Sequence, residues 1–324
     1  MRIRLAAALS AVAATALLLS GCAGSGSPSA SPSASSSSAC LLDAKPGKAS
    51  NAVKVEGSGK DMKVTVPSGT DVDAGNSAQR TVVTKGKGGN IAAGDYVSVR
   101  FQIVDATDNT VLATSSTATD GVQPLIFGSD PQQPTLLDVA LECKPVGTAV
   151  VMTVPSSLRG EGQKPLVVYA QAVKELPTVA TGKAVAPEAG LPTVKLDKSG
   201  KPSITVPKST PPTETKVAVL KQGDGATVGS GDYVVVQYLG VTWADGKTFD
   251  SSWQRNAPAQ FQTTQVVPGF KKALEGQKVG SQVLAVIPPA DGYGDKASGS
   301  IPANSTLVFV VDILGTVPAG DTTQ

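Results

Sequence analysis

The sequence predicts an α+β chain that runs through one plan twice, each time as an antiparallel sheet with a single short helix against one face. Three observations predict it. Short segments recur in the same order at a nearly constant offset of 133 to 140 residues. Most apolar runs are short, β-branched and bounded by Gly, Pro or Asp, the pattern of strands. Apolar residues at i, i+3 and i+4, as an amphipathic helix requires, mark a short helical stretch at Phe270, Ala273 and Leu274. The recurrence is explicit. Lys63-Val64-Thr65-Val66-Pro67 returns as Ser203-Ile204-Thr205-Val206-Pro207, and Gly94-Asp95-Tyr96-Val97 as Gly231-Asp232-Tyr233-Val234. Ala140-Leu141-Glu142 returns as Ala273-Leu274-Glu275, and Val154-Pro155 as Ile287-Pro288. The expected organisation is therefore a first unit at 51–178, a linker and leading strand at 179–212, a second unit at 213–318 and a tail at 319–324.

Ahead of the repeats, residues 1–21 read as an export signal. Arg2 and Arg4 precede an apolar run over 5–19 that is short and alanine-rich for a membrane span. Leu19-Ser20-Gly21-Cys22 resembles the bacterial lipobox, which implies cleavage before Cys22 and lipidation of its thiol. The expected address is the extracytoplasmic face of a bacterial cell membrane, held by a lipid anchor only. Residues 22–50 would be the lipidated cysteine and its tether, because 24–39 is almost entirely Ser, Ala, Gly and Pro and can bury no core. With Cys22 acylated, Cys40 and Cys143 remain, either as one disulfide in an oxidising exterior or as two thiols.

Within the first unit, strands are expected over 64–66, 96–104, 149–154 and 166–173. Residues 178–192 are Pro-, Ala- and Thr-rich and read as linker, and 207–213 as a connection inside the second unit. Strands follow over 217–220, 233–238, 283–287 and 306–314. Asp245-Gly246 marks a tight turn. Phe270, Ala273 and Leu274 share one face of a helix over 270–275, with Gly276 as its cap.

Composition narrows the chemistry. Formal net charge is +2 with no basic block, which speaks against nucleic-acid binding. The chain contains no histidine, so a His-relayed nucleophile and His-ligated metal are excluded. The glycine-rich run over 223–229 lacks dinucleotide-loop spacing, and 105–108 lacks a calcium-loop pattern. No cofactor or metal is expected. What stands out is that nine of the thirteen aromatic residues fall between Tyr233 and Phe309. Such density marks either a rich core or an apolar pocket that works by shape, desolvation and hydrogen bonds.

Five segments carry a family resemblance: Tyr238-Leu239-Gly240, residues 245–252 (Asp-Gly-Lys-Thr-Phe-Asp-Ser-Ser), Val266-Val267-Pro268-Gly269-Phe270, Gly292-Tyr293-Gly294, and residues 301–309 from Ile301-Pro302 to Val308-Phe309. In order and spacing, residues 213–317 resemble an FKBP-type peptidyl-prolyl cis–trans isomerase domain. The resemblance implies a twisted antiparallel sheet wrapped around one short helix, with the pocket between them. It implies Phe270 as the floor beneath a proline ring, with Tyr238, Phe249, Val266, Val267 and Phe309 as walls. Asp250 would be a polar group at the rim. The Tyr293 hydroxyl and the Ile301 backbone N–H would each hold a substrate carbonyl. Read alone, Phe249 and Phe309 fit an ordinary core, and Asp250 a turn cap. The implied partners are proline-containing exported polypeptides and macrolide inhibitors. A non-catalytic chaperone or adaptor that binds proline-containing segments is the other class the residues allow.

The sequence departs from the family at Ala259, where many members have an aromatic, at Asp291, where they have tyrosine, and at Phe270, where some have tryptophan. These changes imply less apolar contact at the rim. In the first unit Leu112, Ala113, Leu137 and Gly160 stand at the offsets of Phe249, Asp250, Phe270 and Tyr293. The segment 162–165 is too short to carry a counterpart of Ile301. The first unit is thus expected to be an FKBP-like scaffold without a working site.

Overall fold

The computed structural model describes residue 40 and residues 44–319 apart from 119 and 131. The export signal, Cys22 and most of the tether lie outside the described residues. The first half opens with α1 (Lys48–Ala52) and a hairpin of β1 (Lys54–Glu56) and β2 (Lys63–Thr65). Then come β3 (Gln79–Thr84), β4 (Tyr96–Asp105), β5 (Val111–Thr114), β6 (Gln123–Ile126), α2 (Leu136–Leu141), β7 (Ala149–Val154) and β8 (Leu166–Glu175). Its antiparallel sheet has the order β3-β7-β8-β4-β5, with β6 pairing the other stretch of β4's edge.

The second half repeats this plan. A two-residue strand, β9 (Lys183–Ala184), is followed by a hairpin of β10 (Thr193–Leu196) and β11 (Pro202–Thr205). After it come β12 (Lys216–Gln222), β13 (Tyr233–Thr242), β14 (Thr248–Ser251), β15 (Ala259–Gln262), α3 (Pro268–Leu274), β16 (Gln282–Ile287) and β17 (Leu307–Val317). The sheet order is β14-β13-β17-β16-β12-β9, with β15 also on β13. From β12 to β17 each strand has its counterpart in the first half at the same place in the sheet.

Both sheets are covered on both faces, so their central strands are buried along most of their length, polar positions such as Ser98, Gln102 and Gln237 included. Successive side chains of a strand point to opposite faces. On one face of β13, Val234, Val236 and Tyr238 pack with Phe270, Ala273 and Leu274 of α3. On the other, Leu239, Val241 and Trp243 pack with Val194 of β10 and Ile204 of β11. In the first half, Val97, Val99 and Phe101 meet Leu137 and Leu141 of α2. There the β1–β2 hairpin brings Met62 and Val64 against Val151, Val167 and Tyr169.

This arrangement corrects the expected boundary. Residues 179–212 are not a linker with a leading strand; they carry β9 and the hairpin that covers the back of the second sheet. The connector is also tied down by Asp312 of β17, whose carboxylate accepts the Ala180 N–H at 2.9 Å and the Gln282 amide at 2.6 Å. Burial pushes the Asp312 carboxyl above its ordinary value, against the pull of these hydrogen bonds. The recurring Val-Pro segments at 66–67 and 206–207 close corresponding hairpins, so the repeat begins earlier in the second half than its composition suggests. The helix also starts earlier than expected, at Pro268, whose fixed φ suits a first helical position. Gly276 follows its last turn with φ +81°, as expected of a capping glycine.

A disulfide joins Cys40 to Cys143, just beyond α2, with 6.0 Å between the Cα atoms. The halves meet where Tyr96, Ile126 and Leu176 pack on Val235 and Leu314. Gly315 is required there, because a Cβ on it would lie 2.2 Å from the Tyr96 hydroxyl oxygen. Among the described residues no helix is long and apolar enough to cross a membrane.

Candidate active site

The second sheet, α3 and the segment 288–306 enclose a cavity of about 460 Å³, open to solvent. All nine expected residues line it: Tyr238, Phe249, Asp250, Val266, Val267, Phe270, Tyr293, Ile301 and Phe309. Each is positioned by a local feature. β13 carries Gly240 directly opposite Asp250 on β14 and Phe309 on β17. Without a side chain at Gly240, the Phe249 and Phe309 rings meet over the sheet at 5.3 Å, edge to face. A Cβ there would lie 2.5 Å from Phe249 and 2.9 Å from Phe309. Gly269 plays the same part for the helix: its Cβ would lie 2.3 Å from Ile287, so its absence lets α3 settle on β16. That seats Phe270 4.9 Å from Phe309 and 5.8 Å from Phe261, ring centre to ring centre. Tyr238 closes the set, 5.7 Å from Phe261 and 6.3 Å from Phe270. Edge-to-face rings favour each other and leave a fixed, apolar wall.

Asp250 is more than a rim group. Its carboxylate accepts a short hydrogen bond from the Tyr238 hydroxyl and one of 2.5 Å from Arg255. Arg255 also donates to the Tyr238 oxygen at 2.8 Å and lies 5.6 Å from that ring's centre. Burial, with the Asp250 carboxylate beside it, pushes the Tyr238 phenol up to about 12. Burial pushes the Asp250 carboxyl up, but Tyr238 and Arg255 together outweigh it and the net shift is downward. Asp250 therefore stays ionised and Tyr238 protonated across ordinary pH. The sequence reading missed Arg255, Phe261 and Gln265. Phe261 stood in the aromatic cluster, whereas Arg255 reaches the site only because a 3₁₀ turn over Ser252–Arg255 folds it back.

One expected role is corrected. The Ile301 N–H is already bonded to the Ser298 carbonyl at 2.9 Å, while Ser298 donates back to Ile301 at 3.0 Å. This bridge closes the tip of the 288–306 segment and occupies the donor. Val267, which also lines the cavity, caps α3 with a backbone N–H for which no acceptor is present among the described residues. Tyr293 is 42% exposed at the mouth, so its hydroxyl is open to a ligand. Asp291 has a part of its own. It accepts from Lys272 of α3 at 2.8 Å and from Thr215 at 2.5 Å, pinning the segment that carries Tyr293.

At the corresponding positions the first half carries different side chains. Ile103 stands where β13 has Gly240, opposite Val168 and Ala113 rather than Phe309 and Asp250. Branched aliphatic chains fill the space that two rings and a hollow occupy in the second half. Leu137 takes the place of Phe270 on α2 and is part of the core, and Leu112 lies exposed. The segment joining β7 to β8 covers only 155–165, against 288–306 in the second half.

Residues 225–314 match the FKBP-type peptidyl-prolyl cis-trans isomerase family. An FK506-binding protein of Streptomyces anulatus is 36% identical over 118 residues, covering 35% of this chain and 95% of that one. FkpA of Escherichia coli, an FKBP-type peptidyl-prolyl cis-trans isomerase, is 43% identical over 101 residues, 31% of this chain and 37% of FkpA. The crystal structure of Escherichia coli FkpA aligns with 41% of this chain and 54% of its own, at 36% identity and a TM-score of 0.32. The chain belongs to the FKBP-type peptidyl-prolyl cis-trans isomerase family, and its second half is the isomerase.

Proposed function

We propose that the aromatic slot of the second half turns Xaa-Pro bonds in exported polypeptides, with the proline ring on Phe270 between Phe249, Phe309 and Tyr238. The observation that carries this is a ring-lined apolar hollow of about 460 Å³ beside an unused backbone donor, that of Val267. A cavity of this volume lies in the range of small-ligand sites. Rotation about a prolyl bond is slow because amide resonance must be broken, at about 18–20 kcal/mol. Midway, the carbonyl loses conjugation and becomes less polar, so an apolar wall favours that state over the planar amide. A millionfold gain requires about 8 kcal/mol of selective stabilisation. A single preorganised donor supplies about 3–4 kcal/mol of that, and desolvation and positioning the remainder. The Val267 N–H and the Tyr293 hydroxyl hold the flanking carbonyls. Asp250 and Arg255 fix the Tyr238 ring and transfer no proton. Macrolides that bind this family would compete for the same slot.

In the same reading the chain is two FKBP-like domains. The first has lost its slot, and a lipid on Cys22 holds the whole outside the cytoplasmic membrane. The test is isomerisation of a short Xaa-Pro peptide by the full chain. Phe249→Ala is expected to lower kcat/KM at least tenfold, and Tyr293→Phe by less. Wild-type kcat/KM should be flat from about pH 5 to 9, because Asp250 titrates below that window and Tyr238 above it. A bell-shaped profile in that range would show proton transfer and sink the mechanism.

A further inference from the structure

Beyond the prolyl slot, the second half has a continuous track of recesses that follows β15. The slot shares Phe261, Gln265 and Val266 with a second recess of about 440 Å³. That recess shares Gln260 with a third, of about 540 Å³, lying between the halves. The third is walled by Leu125, Ile126 and Ser129 of the first half and by Ala257, Pro258 and Gln260 of the second. Its rim includes Arg255, which also reaches Asp250 and Tyr238 in the slot.

The strands beside this track have spare edges. Among the described residues β15 pairs only with β13, and β6 only with β4. Alternate backbone N–H and C=O groups of such an edge await a partner, and an extended peptide is the partner that matches their spacing. The lining suits the same occupant. Apolar side chains alternate with the exposed amides of Gln260 and Gln265, and the Arg255 charge is balanced by Asp250. Such a surface lacks the basic stripe that nucleic acid needs.

We infer that the polypeptide flanking the prolyl bond lies along the outer edge of β15 and runs into the cleft between the halves. The first half thereby contributes binding surface for long substrates. This rests on the slot being the prolyl site, because the track is continuous with it. It gives the first half a part in catalysis without a slot of its own. It also predicts that length of substrate, and not only the residues next to proline, sets KM.

The test compares a proline tetrapeptide with a reduced, carboxymethylated ribonuclease whose refolding waits on a prolyl bond. The ratio of kcat/KM for the long substrate to that for the short one is measured in wild type and in Ser129→Trp. Ser129 is exposed, so a bulky side chain there projects into the cleft without entering a core. The ratio is expected to fall at least fivefold. Independently, an environment-sensitive dye on Ser129→Cys should respond to the long chain and not to the tetrapeptide. An unchanged ratio, or a silent dye at saturating long chain, would overturn the inference. If the tetrapeptide is not turned over at all, the slot reading fails, and the dye alone then decides whether the cleft holds a polypeptide.

Discussion

Gly240 decides which half has a site. Its missing side chain is what permits Phe249 and Phe309 to stand edge to face over β13, and Ile103 shows the alternative. Gly240→Ala would place a methyl 2.5 Å from Phe249, closer than real Cβ atoms come, so the rings must swing into the slot. Overpacking of this kind costs about 1–3 kcal/mol. The expected result is a fall in kcat/KM of at least tenfold with a modest loss of stability by urea denaturation. Full activity would mean that these rings do not bound the proline. The ring positions were legible through the five segments that resemble the FKBP family; read alone, Phe249 and Phe309 fitted an ordinary core as well as a slot. Two other details were not. The Ile301 donor is consumed by a bridge to Ser298 that depends on how one turn closes. Arg255 reaches Asp250 through a 3₁₀ turn whose sequence announces no such contact.

The hairpins behind the sheets were the elements hardest to read. β10 and β11 are four residues each, with Thr, Lys and Ser between single apolar positions, and they sit in a Pro-rich stretch that imitates a linker. Only the echo of residues 63–67 at 203–207 marked the second of them as structural. The central strands were plain by contrast, since they are long and rich in β-branched and aromatic residues. Trp243 and Trp253 are the only tryptophans, and both belong to the cluster under this hairpin, which gives it a clean reporter. Ile204→Asp would set a carboxylate against that cluster, at a cost of about 1–3 kcal/mol. Its tryptophan emission should shift to the red. Emission identical to wild type would mean that the hairpin does not cover that face.

At the scale of the whole molecule, the disulfide closes a long loop, with a sequence separation of 103 around α1, β1–β6 and α2. Loop closure of this length stabilises by about 2–4 kcal/mol in practice. Replacing both Cys40 and Cys143 by serine should lower stability by that order, read by thermal unfolding. Tetrapeptide turnover at 25 °C should persist, because neither residue borders the slot. A double variant as stable as wild type would remove the cystine from the account of folding.

The two-residue strand β9 has a consequence out of proportion to its length. By pairing with Lys221 and Gln222 it covers one end of β12, at one margin of the second sheet. The opposite margin, where β14 and β15 lie, borders the prolyl slot. An enzyme that meets unfolded chains all its life risks being knitted to them wherever a row of backbone groups is left open. Here β9 shields one end of β12 and leaves the margin beside the slot open, so that a chain stitched onto that margin is delivered to the place where its prolyl bonds are turned.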